Sequence, residues 1–355
     1  MPEPTPVDVL LVSPGTTAGW RRVDRELAAL LEELGLSTAT ASTDFRIAGP
    51  LRRGMLLTDL VEAAAMRRAL TRALRRHRPR AIVYSSPQAT MLQPRRRLRG
   101  ATAVRFDEPA ASNRRGPGTG VLHALERKAL AQVRLLLPLG VEPAASARLL
   151  RVETPMIALP VAIEVTWDAW TAREQTVVVY AGNPHKKGLD LAVAAWARAA
   201  LPGWRLLVTG IDEQAGRLHL ERHEVEEPDG VEWAGIVPPD RYAALLGKAT
   251  VFLSASRHED YGLAQLEALG AGAALVTSPA TGPYPALELA RALDHRLVAG
   301  DASSAALATA LRPALEMPDS AHQVYAERAR ELLAPHSHAE LRRRVAEQVL
   351  PVLLG

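Results

Sequence analysis

Two glutamates eight positions apart, Glu259 and Glu267, bracket an aromatic residue and a glycine in the run Glu259-Asp260-Tyr261-Gly262-Leu263-Ala264-Gln265-Leu266-Glu267-Ala268-Leu269-Gly270-Ala271-Gly272. The run follows an apolar stretch, Val251-Phe252-Leu253, that reads as a strand ending near Ser254. Glu259 is therefore expected in a loop at the carboxyl edge of a sheet, where open α/β sheets bind ligands. Gly262 lets the backbone come close to a ligand, and Leu263 begins a helix whose free N–H groups favour phosphate. Glu267, one turn inside that helix, can accept two hydroxyl hydrogen bonds, as a carboxylate facing a ribose diol would. Glu259 can do the same for a sugar ring on the other side of the phosphates. A lone pair of glutamates at this spacing is weak evidence, because solvated helix faces supply many; the strand, the glycine and the small-residue helix make it specific.

A second constellation has the same placement. Tyr180-Ala181-Gly182-Asn183-Pro184-His185-Lys186-Lys187-Gly188-Leu189-Asp190 lies between a strand, Val177 to Ala181, and a helix, Leu189 to Ala200. Only four lysines occur in a chain that otherwise uses arginine, and Lys186 and Lys187 are adjacent. A lysine at a carboxyl edge can stabilise a departing nucleoside diphosphate as charge builds on its oxygens. Taken alone, a Lys-Lys-Gly turn is more often a solvated loop.

The elements around these residues alternate short apolar runs with helical stretches, the signature of βαβ units and parallel sheets. In the first half, Val9 to Ser13, Ala81 to Tyr84, Ala101 to Phe106 and Leu135 to Leu137 read as strands, with helices over about 21–34 and 56–76. The segment 159–172 lacks periodicity and reads as a linker, after which the pattern restarts with strands at Val177, Leu206, Val251 and Ala274. The fold expected is α/β: two doubly wound Rossmann-like domains facing a cleft. Residues 1–165 form the N-terminal domain, 166–335 the C-terminal one, and 336–355 a helix packing back across the linker. The Gly15 to Gly19 loop is not the G-x-G-x-x-G fingerprint, so a dinucleotide is disfavoured.

At this point the chain resembles the GT-B fold retaining glycosyltransferases, specifically glycosyltransferase family four, whose element E-x-F-G-L-x-x-x-E-A-x-x-x-G is matched by Glu259, Tyr261 in the aromatic place, Gly262, Leu263, Glu267, Ala268 and Gly272. The resemblance implies that Glu259 contacts the donor sugar, Glu267 the ribose, and the amides around Gly262 and Leu263 the diphosphate. The family's G-R…K-G loop is matched at Lys187-Gly188 beside Gly182, while Asn183 replaces its arginine. The missing cation is then expected from Lys186 or Arg257. Gly19 corresponds to the family's N-terminal glycine loop, where a purely structural turn is an equal reading. Asp107 stands where the family has a His-Asp pair, with Phe106 in place of the histidine. The nearby Arg105, Asn113, Arg114 and Arg115 suit an anionic acceptor. The resemblance is strong over about 176–290; over 1–160 it rests on strand–helix order.

Several classes are excluded or disfavoured. There is no cysteine, hence no disulfide or thiolate metal site. No Asp-x-Asp, H-E-x-x-H or G-x-S-x-G elbow occurs, and His336 and His338 read as flanking a helix start at the surface, so no metal cofactor and no serine nucleophile are expected. The N-terminus lacks a signal-peptide pattern, and the longest uncharged stretch, Ala268 to Leu287, carries three glycines and three prolines and cannot be a spanning helix. A cytoplasmic protein is the expectation.

Net charge is +4, but residues 1–160 carry 25 Lys+Arg against 14 Asp+Glu, +11, and the remainder 18 against 25, −7. Arg67, Arg68, Arg72, Arg75 and Arg76 crowd one end of the 56–76 helix, whose Leu56, Leu60, Val61, Ala64 and Ala65 make an apolar face; Arg78, Arg80 and Arg95 to Arg97 extend the charge. In the family such a face docks on anionic lipid, which would hold this chain peripherally on the inner membrane face, near an anionic or lipid-linked acceptor. Nucleic acid is disfavoured, because aromatics are only 4% and do not interleave these arginines.

The expectation is a retaining, metal-independent transfer of a sugar from a nucleotide-diphosphate sugar to an acceptor in cell-envelope glycan or glycolipid synthesis. Lys187 and Glu259 are central to it, with Asp107 a candidate. The alternatives are a nucleotide-sugar epimerase of the same fold, or a catalytically silent sugar- or partner-binding protein, which Asn183 and Phe106 would favour.

Overall fold

The computed structural model describes residues 3–15, 18–43, 55–107, 109, 119–140, 150–167, 170–171, 173–282 and 284–355. The chain divides into two units, residues 1–162 with 338–355, and residues 163–337.

Unit 1 is built on a five-stranded parallel sheet of order β2-β1-β3-β4-β5. Its strands are β1 (Thr5–Ser13), β2 (Thr38–Ser42), β3 (His77–Tyr84), β4 (Thr102–Phe106) and β5 (Leu135–Pro138). The helices are α1 (Ala18–Glu33), α2 (Met55–Ala73) and α3 (Thr119–Leu130), with two one-turn helices at Gln88–Met91 and Arg95–Leu98. Strand side chains alternate between faces, and here both faces are buried. Leu10, Val12, Ile82, Tyr84, Val104 and Phe106 pack with Met66 and Leu70 of α2. Val9, Leu11, Ala81, Val83 and Ala103 pack with Leu27, Leu30 and Leu31 of α1. That is why these strands read as continuous apolar runs rather than alternating ones.

The C-terminal segment 338–355 belongs to unit 1, where Leu341, Val345, Val349 and Leu353 join the second of these clusters. Its spacing of four is accommodated by a π-helical stretch, Val345–Val349, between His338–Arg344 and Leu350–Leu354. Pro351, which has no N–H to donate to the preceding turn, follows that stretch.

Unit 2 repeats the plan with order β10-β9-β6-β7-β8, again all parallel. The strands are β6 (Glu174–Tyr180), β7 (Arg205–Thr209), β8 (Val231–Gly235), β9 (Ala249–Ser254) and β10 (Ala274–Thr277). The helices are α4 (Pro184–Lys187), α5 (Leu189–Ala199), α6 (Glu213–Arg222), α7 (Pro239–Lys248), α8 (Leu263–Gly270), α9 (Pro285–Asp294), α10 (Ser304–Leu315) and α11 (Asp319–Leu332). Trp196 of α5 is the largest fully buried side chain, and its indole N–H donates to the Asp229 carbonyl at 3.2 Å. From central β6 the chain winds outward through β7 and β8, then returns to the other side for β9 and β10. The loops after β6 and β9 therefore diverge at a topological switch point, the place where such sheets bind ligands.

Candidate functional site

The loops at that switch point carry the two constellations read from sequence. After β6, Asn183 accepts the Lys186 backbone N–H at 3.0 Å and caps the one-turn helix α4, which Pro184 starts and Gly188 ends. Gly188 has φ +65, and a Cβ there would lie 2.0 Å from the Ala255 carbonyl oxygen. Only glycine allows this turn to press against the loop that follows β9. The Arg257 backbone N–H then donates to the Lys186 carbonyl at 2.9 Å, binding the two loops together.

Lys187, at the end of α4, reaches Glu259: Nζ lies 2.5 Å from Oε1. Glu259 is 3% exposed, and the same oxygen accepts from the Ser256 hydroxyl at 2.6 Å and Gln265 Nε2 at 3.0 Å. Gln265 also donates to the Ser254 hydroxyl at 2.8 Å. Three donors on one oxygen fix the carboxylate in direction. The Tyr180 ring centroid lies 6.0 Å from the Lys187 ammonium, and burial first, then the Glu259 charge, push the Tyr180 hydroxyl up. These side chains line a cavity of about 10 Å³, room for one water.

Gly262 adopts φ +77 and stands immediately before α8, with Leu263 as the first helical residue. Its left-handed conformation turns the chain so that the α8 amides begin at the carboxyl edge of β9, and a free helix start of this kind favours anions. Glu267 lies one turn inside α8 and is half-buried. Tyr261 is buried, with its hydroxyl 3.3 Å from His336 Nδ1, so the ring serves the core of unit 2.

The expected spare cation is engaged elsewhere. Lys186 Nζ lies 2.6 Å from Asp260 Oδ2, and Arg257 holds Asp190 bidentately at 3.0 and 2.5 Å. Burial would raise the Asp260 carboxyl, but hydrogen bonds from Lys186 and His258 outweigh it and lower it. Gly182 is exposed beside these residues, and a Cβ there would meet the Tyr180 hydroxyl.

In unit 1, Gly19 falls within α1, which begins at Ala18, three residues earlier than the periodicity implies. Gly15, at φ +61, makes the turn instead, while Gly19 has open space around it. Asp107 follows β4 and is half-buried. Arg105 does not face solvent: it is 3% exposed and donates to the Val23 carbonyl at 3.1 Å and the Pro160 carbonyl at 3.3 Å. Asn113, Arg114 and Arg115 lie outside the described residues. Beside Arg105, burial raises the Asp24 carboxyl, which accepts from the Ser13 hydroxyl.

Sequence reasoning missed Ser254, Ser256 and Gln265 around Glu259, and the Asp190–Arg257 pair. Ser, Gln and Asp at single positions carry no periodic signal; only their convergence at the switch point marks them.

Residues 169–332 match the family described as glycosyl transferases group 1. No curated protein matches the chain by sequence. Solved structures share the fold over both units. Sucrose-phosphate synthase from Thermosynechococcus elongatus is 16% identical, with 98% of this chain and 99% of that one covered and a TM-score of 0.72. HepE from Anabaena, solved with UDP and glucose, is 13% identical, with 97% and 99% covered and a TM-score of 0.70. WaaG, a glycosyltransferase involved in lipopolysaccharide biosynthesis, is 16% identical, with 96% and 99% covered and a TM-score of 0.68. Residues 169–332 thus resemble the glycosyl transferases group 1 family, and the chain shares the two-domain GT-B fold of these solved structures.

Proposed function

We propose that the chain moves a sugar from a nucleotide-diphosphate sugar to an acceptor hydroxyl with retention of anomeric configuration. The observation that carries this reading is the convergence, at one switch point, of the Lys187 ammonium, the Glu259 carboxylate and the start of α8 behind Gly262, with Glu267 one turn into that helix. The α8 amides and Lys187 hold the diphosphate, Glu267 takes the ribose hydroxyls, and Glu259 orients the sugar through the oxygen that its three donors leave free. The bond from the anomeric carbon to the phosphate oxygen breaks with its electron pair going to that oxygen, where Lys187 opposes the growing charge. The acceptor oxygen attacks from the same face, and its proton passes to the departing phosphate oxygen. No protein nucleophile and no metal take part.

The UDP in the HepE structure makes a uridine donor the first to try, and the printed role of WaaG supports an envelope glycan or glycolipid as product. A thermal-shift screen against UDP, GDP, ADP and dTDP identifies the base. Proton NMR of the product then reads its anomeric configuration, and inversion would overturn the retaining mechanism. Incubating donor alone separates an epimerase, which converts it without acceptor.

A further inference from the structure

Next to the Lys187 loop stands a group of side chains that the sugar-transfer reading does not use. Asp190 is the second residue of α5, while His219 in α6 and His223 at its C-cap are four apart on one helix face. Their donor atoms all lie within 4.8 Å of one another, and among the described residues no other such group of three is found.

His219 Nε2 is 3.2 Å from Asp190 Oδ1, a hydrogen bond; His223 Nδ1 is 3.7 Å from Asp190 Oδ2, too far for one. The two imidazole centroids are only 4.5 Å apart. Hydrogen bonding accounts for one histidine and leaves the second unexplained. An ion with bonds of about 2.0–2.1 Å accounts for both, since tetrahedral ligand atoms then stand about 3.3–3.4 Å apart. We propose that Asp190, His219 and His223 form a binding site for a divalent transition metal, Zn²⁺ by the chemistry of the donors, with water in the fourth position.

The surroundings suit the ligands. His219 is largely withdrawn from solvent, with a side-chain exposure of 11%. Arg257 donates to both Asp190 carboxylate oxygens, at 3.0 and 2.5 Å. Arg257 is the outer partner that ligating carboxylates usually have, and it also donates to the His185 carbonyl at 2.9 Å. The His185 ring stacks with that of His223, 6.1 Å between centroids. The metal therefore ties α6 to the start of α5 and, through Arg257, braces the two loops that carry Lys187 and Glu259. It touches no reacting atom, so its role is structural.

The test uses the whole chain, stripped of metal by chelator and dialysed, titrated with ZnCl₂ by calorimetry and followed by thermal unfolding. One equivalent of zinc is taken up with saturation and Tm rises, whereas MgCl₂, a hard cation that prefers oxygen ligands, leaves Tm unchanged. His219→Gln and His223→Gln each lower zinc affinity by about 10–100-fold or more, since loss of even an outer partner has that effect. His223 is partly exposed, so its variant keeps the fold and the test stays decisive if the His219 variant does not. Absence of saturable uptake, an equal response to MgCl₂, or wild-type zinc affinity in His223→Gln overturns the site.

Discussion

The Lys187 ammonium lies 2.5 Å from Oε1 of Glu259, although 72 positions separate the two residues. The pair is largely desolvated, with side-chain exposures of 18% and 4%, so each charge holds the other in place. Lys187→Ala lowers kcat by about 10²–10³, as loss of a preorganised charge at the leaving group does. It does so with a smaller change in KM, because the charge on the bridging oxygen grows only as the bond breaks. It also lowers Tm, since a buried carboxylate left unpaired costs about 3–5 kcal/mol. Lys187→Met combined with Glu259→Gln separates the two effects: Tm recovers while kcat stays low. Lys186→Ala is the internal control, mild in both respects, because its pair with Asp260 is about one-third exposed on each side and such pairs contribute about 0–1 kcal/mol. Equal kinetic effects from the two lysines would contradict the assignment.

Glu267→Ala weakens nucleoside diphosphate binding while the circular dichroism spectrum stays that of the wild type. With the ribose role proposed for Glu267, two hydroxyl hydrogen bonds to a carboxylate are lost, each of the charged kind that contributes about 1.5–3 kcal/mol. Isothermal titration should show an affinity at least tenfold lower. An unchanged affinity places the ribose elsewhere.

Turnover persists after chelation of divalent metal. In the proposed site the diphosphate charge is met by Lys187 and the α8 start, and the metal inferred at Asp190, His219 and His223 braces loops without touching substrate. Tm falls in EDTA, but the rate at a temperature well below it does not vanish. Complete loss of activity, restored by added metal, would show that the cation takes part in chemistry.

The chain sediments with anionic liposomes and not with neutral ones, and less so as salt rises. Arg67, Arg68, Arg72, Arg75 and Arg76 are all exposed, and Leu57, near the other end of α2, is 47% exposed. Leu60, Val61, Ala64 and Ala65 are half-buried; the buried apolar residues of α2 are Ala63, Met66, Ala69 and Leu70. Each arginine at such a surface contributes about 1 kcal/mol, so five of them suffice to draw the chain to the bilayer. Among the described residues no helix is long and apolar enough to cross it. Equal partitioning to both lipid types removes the electrostatic explanation.

Local pattern made much of this protein legible. Strands buried on both faces, such as Val9 to Val12 and Val177 to Val179, announce themselves as apolar runs, because every side chain must leave water whichever face it takes. The glycines also spoke for themselves: Gly188 and Gly262 sit where a helix must start at a sheet edge, and both adopt the left-handed conformation. Two of the four edge strands did not. Thr38–Ser42 and Val231–Gly235 are only partly covered, so they need no apolar run and show none. What the tertiary structure decided was adjacency. The order β10-β9-β6-β7-β8 sets β6 against β9 and so brings Lys187 onto Glu259. Strand order follows from crossovers between elements, which periodicity within an element does not encode. The same packing turned Tyr261 toward His336, gave Lys186 to Asp260, buried Arg105 against backbone carbonyls, and gathered Asp190, His219 and His223 from two helices. A side chain's type fixes what it can bind. Which partner it meets is settled only when distant segments compete for the same buried space.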